Sequence, residues 1–143
     1  MQREYPDRPI VGVGAVIIHN GQVLLVRRAK PPLQGRWSLP GGVVELGETL
    51  RAAVEREICE ETGLVVQATE VVAVLDRILP GDNAGIQYHY VLIDFLCRCQ
   101  GGELRADSDV SEAQWAYPAE LARYELEQIA LDVIAKGFQL SPS

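Results

Sequence analysis

Glu57, Glu60 and Glu61 crowd three carboxylates into the segment "REICEE", with Arg56 beside them and Glu48 a little upstream. A helical wheel at about 100° per residue puts Glu57 and Glu61 on the arc of Leu50, Ala53, Val54 and Ile58, with Glu60 flanking it. Solvated charges belong on the opposite arc, where Arg51 and Glu55 fall. A carboxylate removed from water is costly, and adjacent ones repel, so a cation is required there. Arg56 can orient one carboxylate but cannot satisfy three. A hard divalent ion such as Mg²⁺ can, and it keeps waters that phosphate oxygens replace. Gly41 and Gly42 lie just before the helix, where lack of a side chain lets a backbone carbonyl approach an ion. The pattern is that of a metal-phosphate site.

The elements that must position these groups follow from the apolar periodicity. "IVGVGAVIIHNGQVLLVRR" reads as a hairpin turning at Asn20-Gly21. "AKPPLQGRW" reads as a loop, followed by a short extended piece at 37–39 and a Gly41-Gly42 turn. A helix is expected from Thr49 to Thr62, stopped by Gly63. Two long strands, 64–79 and 86–100, flank the "PGDNAG" loop; a short strand follows at 114–117, and a last helix at about 118–137 with a break near Tyr124. This order predicts one α/β domain over residues 1–143, with a mixed sheet between helices.

A net charge of −7 on 143 residues argues against a nucleic-acid backbone as partner, and an acidic protein handling an anionic substrate needs local cations or metal. No stretch approaches the length of a membrane span, and Cys59, Cys97 and Cys99 read as unpaired thiols in a reducing compartment. The expectation is therefore cytoplasmic, without membrane or nucleic-acid partners, with homodimerisation left open.

Gly42, five residues, Glu48, seven residues, Arg56-Glu57-Ile58, one residue, Glu60-Glu61, Thr62, Gly63-Leu64 matches the Nudix box without a departure. The chain resembles Nudix hydrolases over nearly its whole length. The resemblance implies an α/β/α sandwich whose loop-helix-loop holds Mg²⁺ or Mn²⁺ against a nucleotide diphosphate that water then splits. Carried over by position, Glu57, Glu60, Glu61 and the Gly41 carbonyl are the implied metal ligands. Gly42 supports the site, and Arg56 and Glu48 hold the loop and orient the glutamates. The proton acceptor is either Glu61 or a residue of "ADSDVSEAQW", where Glu112 is preferred over Asp107 and Asp109; Glu103 is weaker. Arg28 sits where relatives place a substrate-contacting arginine, and Arg77 and Trp37 are further substrate candidates. His19 and His89 read as structural.

In this family a proline about sixteen residues past the box accompanies ADP-ribose or ADP-sugar hydrolysis, and Pro80 has that spacing from Leu64. The expected activity is thus cleavage of ADP-ribose or an ADP-sugar, with the "PGDNAG" loop and Tyr88 bracketing the base or ribose. The alternatives are a nucleotide-sanitising (d)NTP diphosphatase and a non-catalytic nucleotide sensor. Sensors typically lose box glutamates; this chain keeps them all.

Overall fold

The computed structural model describes residues 2–142. Strands β1 (Ile10–His19) and β2 (Gln22–Arg28) form the hairpin, with Asn20 at φ 52° and Gly21 at φ 77° supplying the left-handed pair that a tight two-residue turn demands. Then come β3 (Trp37–Ser38), β4 (Gly41–Val43), helix α1 (Leu50–Thr62), β5 (Leu64–Pro80), β6 (Ile86–Gly102), β7 (Val110–Ala116) and helix α2 (Gln128–Leu140). The strand order is β3-β2-β1-β6-β5, with β4 on β1 and β7 on β2. Its spine is a parallel pair, β1 with β6, in unbroken register from Ile10↔Tyr90 to Ile17↔Cys97. The fold is an α/β mixed sheet between helices.

Because side chains alternate along a strand, the spine feeds two cores. Val13, Ala15 and Ile17 join Ile93, Phe95 and Cys97 beneath Ala53, Val54 and Ile58 of α1. Val16 and Leu96 face the other way, against Val133 and Ile134 of α2.

Helix α1 is fixed at both ends. The Thr49 hydroxyl accepts the Ala52 N–H at 3.1 Å, and Gly63, at φ 75°, closes the last turn by donating to the Cys59 carbonyl. The wheel needs two corrections. Leu50 is exposed because it occupies the first turn, beyond the sheet. Arg51 and Glu55 are not free surface charges: Arg51 donates to the Ala68 and Thr69 carbonyls and lies over the Phe95 ring, and Glu55 accepts the Ala68 N–H. They dock α1 on β5.

Gly41-Gly42 is a strand rather than a turn. With Val43 it pairs with Gly12–Gly14 of β1, and a Cβ at Gly41 would run into the Val13 carbonyl, so only glycine admits this approach. The terminal helical region breaks near Tyr124, as expected: Glu125, in the left-handed conformation, separates Pro118–Tyr124 from α2, and the first piece is 3₁₀ rather than α-helical. Strand β7 starts earlier than expected, at Val110, because it pairs with the whole of β2.

Candidate active site

The glutamates of α1 border a cavity of about 340 Å³ between the helix, β4, the open half of the sheet and α2. Local structure explains how they get there. Helix α1 runs over β4, so Glu57 lies against Gly42, where any Cβ would collide with its carboxylate. Glu61, one turn on, is 6% exposed and accepts the Gly41 N–H at 2.9 Å.

Arg56 organises the rest. Its guanidinium donates to Glu48 at 2.6 and 2.9 Å, to the Val43 carbonyl at 3.1 Å, to Glu57 at 2.9 Å and to Glu60 at 3.3 Å. It thus ties the loop before α1 to the helix. The Glu48 carboxyl is drawn down to about 2, chiefly by the Arg56 hydrogen bond and further by the Glu45 N–H. Arg56 itself is raised, mainly by Glu48. Burial raises Glu57, with Arg56 opposing. Burial pushes Glu61 up to about 8 against the pull of the Gly41 N–H, and the charge of Glu57 adds to the rise.

Among the described residues, no three His, Cys, Asp or Glu side chains are gathered in ligating geometry. Arg56 holds Glu57 and Glu60, and Glu61 is turned to Gly41. The donor chemistry nevertheless suits a hard ion: a deeply buried carboxylate with one N–H partner, and two more within a flexible side chain's reach. Glu57, Glu60 and Glu61 are the residues that would hold it.

The walls supply cations. Arg3, Arg28 and Arg77 line the cavity. Arg28 is steadied by donating from Nε to the Pro32 carbonyl at 2.6 Å, and Arg77 is paired at 2.8 Å with Glu127, the residue just before α2. Trp37 is not among the lining residues; it packs edge-to-face on Tyr124 with centroids 5.0 Å apart, under the 3₁₀ segment. Glu112 also points elsewhere. Strand β7 pairs with β2 so that Glu112 sits opposite Arg27, and the two form a 2.9 Å ion pair at the surface. Asp109 lines the cavity instead, because the Arg105 and Asp107 N–H groups bind the Thr62 and Glu61 carbonyls and zip its loop onto the end of α1. Pro80 is exposed at the hairpin tip, and Tyr88 is buried against Ile10, so neither reaches the cavity; Tyr90 does.

Asp94 is a cavity residue absent from the candidates drawn from the sequence. It lies on β6, 7% exposed, and faces the cavity. A lone acid inside the apolar run "YVLIDFLC" is the signal that marks it. Arg3, on the N-terminal arm, carries no comparable signal.

A cavity walled by carboxylates on one side and arginines on another suits a phosphate-bearing substrate. The NUDIX domain family profile matches residues 8–136. The chain belongs to the NUDIX family. Similarity to named Nudix hydrolases is extensive. An ADP-ribose pyrophosphatase of Methanocaldococcus jannaschii is 40% identical over 75% of this chain and 61% of its own length. A Mycobacterium tuberculosis protein provisionally named 8-oxo-dGTP diphosphatase 2 is 42% identical over 76% of this chain and 74% of its own. The MutT NUDIX hydrolase of Burkholderia pseudomallei superposes with a TM-score of 0.79 at 30% identity, covering 91% of this chain and 98% of that one. No helix among the described residues is long and apolar enough to cross a membrane.

Proposed function

We propose that this Nudix protein hydrolyses a diphosphate bond in a nucleoside diphosphate linked to another group, ADP-ribose or an ADP-sugar, with Mg²⁺ or Mn²⁺ as cofactor. The observation that carries the reading is Glu61: a buried carboxylate on the cavity wall, raised to about 8, that Arg56 leaves uncompensated. What a divalent ion supplies when bound is charge neutralisation on the diphosphate and acidification of water. Water adds to one phosphorus, the bridging P–O bond breaks, and the leaving phosphate keeps the bonding pair. Glu61, buried on the cavity wall, orients the attacking water and takes its proton. Arg28 and Arg3 steady phosphate oxygens, and Arg77 reaches the substrate from the α2 side. Arg56, with Glu48, holds the α1 glutamates toward the cavity.

The Methanocaldococcus relative supports ADP-ribose; the mycobacterial one supports a second reading, a (d)NTP diphosphatase of the sanitising type. The chemistry at α1 is common to both. A panel of ADP-ribose, ADP-sugars and (d)NTPs with Mg²⁺ or Mn²⁺, scored by products, separates them. AMP and ribose 5-phosphate, with kcat/KM above that of any triphosphate, support the first; pyrophosphate release at higher kcat/KM from a triphosphate replaces it with the second. Binding without any cleavage favours a nucleotide sensor.

A further inference from the structure

Asp94 has no task in the chemistry above. Its carboxylate lies over Gly14, its register partner on β1, where a Cβ would collide with it. Burial alone pushes the carboxyl up to about 6; no donor, arginine or α1 glutamate enters as a further cause. Such a group is expensive to keep unless a ligand completes it. It lies on the α2 side of the sheet, since Gly14 and Asp94 point away from Val13, Ile93 and the α1 core.

The surroundings define the ligand. Leu92 and Tyr90 precede Asp94 on the same face of β6, and Leu75 and Val133 line the cavity from β5 and α2. At Gly12 and Gly14 the sheet carries no side chains, which leaves a shallow floor; a Cβ at Gly12 would stand 2.7 Å from Leu92 Cδ2. The slot is apolar around Asp94, and its further polar groups, Arg77 opposite Tyr90 in register and the Glu127 it pairs with, stand farther along the same face, so the site suits a flat ring read at one edge. A phosphate is excluded by the carboxylate's own charge, and sugar hydroxyls gain little from apolar walls. Resting on the nucleotide reading above, we infer that Asp94 accepts a hydrogen bond from the exocyclic amine of the substrate's nucleobase, so that the pocket selects amino-bearing bases over their deamino counterparts.

Purine is adenine without its amine, and hypoxanthine is guanine without its amine, which makes the test direct. ADP-ribose is compared with its purine analogue, and dGTP with dITP, in the parent and in Asp94→Asn, which keeps size and shape but offers both a donor and an acceptor. The parent should prefer the amino-bearing member of whichever pair it cleaves by about 100-fold in kcat/KM, and Asp94→Asn should reduce that ratio to below about fivefold. An unchanged ratio in the variant overturns the inference. So does a parent that is indifferent to the amine but sensitive to removal of a ribose hydroxyl, which would give Asp94 to the sugar. If nothing is cleaved, the hydrolase reading fails by itself, and equilibrium binding of AMP against purine riboside monophosphate, and of GMP against IMP, decides the matter. Tighter binding of the amino-bearing member of either pair by the parent, lost in Asp94→Asn, sustains the inference; equal or absent binding overturns it.

Discussion

Glu61→Gln should make the protein more stable in chelator and indifferent to metal. The folded-state carboxyl is raised from 4.5 to about 8. A carboxyl raised by folding costs nothing below its unfolded pKa, and the cost grows as pH rises from 4.5 to about 8. Near pH 7.5 the three-unit gap from 4.5 corresponds to about 4 kcal/mol. Glutamine keeps the acceptor for the Gly41 N–H but brings an amide with its own needs. Allowing half for that and for side-chain relaxation leaves a gain of about 2 kcal/mol, or about 6 °C in Tm for a chain of this size. Thermal unfolding is followed at several pH values in chelator and again with Mn²⁺. The parent should lose stability steadily between pH 4.5 and 8 in chelator and regain it with Mn²⁺. The variant should lack that component of the slope and the Mn²⁺ response, and its kcat should fall by orders of magnitude. A variant less stable than the parent in chelator, or one stabilised equally by Mn²⁺, would refute the reasoning.

Gly42→Ala should fold, because its Cβ meets the end of the Glu57 side chain rather than backbone, yet lose at least about tenfold in metal-dependent kcat/KM as that carboxylate is displaced. Gly41→Ala should cost about 3 kcal/mol or more in denaturant unfolding, since its Cβ meets the β1 backbone. Glu112→Gln should keep kcat within about threefold of the parent, because its partner is Arg27 at the surface; a large loss would return it to the chemistry. Asp94→Asn should raise Tm above pH 6 and not below 3.8: the folded carboxyl is raised from 3.8 to about 6, so its cost of about 3 kcal/mol is absent under the lower value and complete over the upper one.

The hairpin, both long strands and the position of α1 are legible from local pattern, because turn chemistry and apolar spacing act over a few residues. The burial of Glu61 is legible for the same reason: a wheel places it among Ala53, Val54 and Ile58. The pairing of Gly41-Gly42 with β1 is not, since two glycines signal a turn locally and a close strand contact only when the opposing backbone is known. The surroundings of Glu112 and Trp37 are illegible for the same reason. Which face a residue of β7 or β3 presents is set by its register on β2, and that register joins segments distant in sequence. Asp94 is half legible, as a charge breaking an apolar strand, but its meaning depends on Gly14 lying opposite.

Arg56 also bears on how the protein behaves in handling. It holds Glu57 and Glu60 through one nitrogen, Nη1, while Nε and Nη2 are fixed to Glu48 and the Val43 carbonyl. On the metal role proposed above, the glutamates would swing from arginine to ion and back while the loop stays anchored. Loading would then be an exchange of counter-ions on a standing scaffold, in contrast to small zinc domains that unfold when stripped. Repeated cycles of chelation, dialysis and a change of metal should leave the protein ready to work, so that one preparation can serve to compare ions side by side.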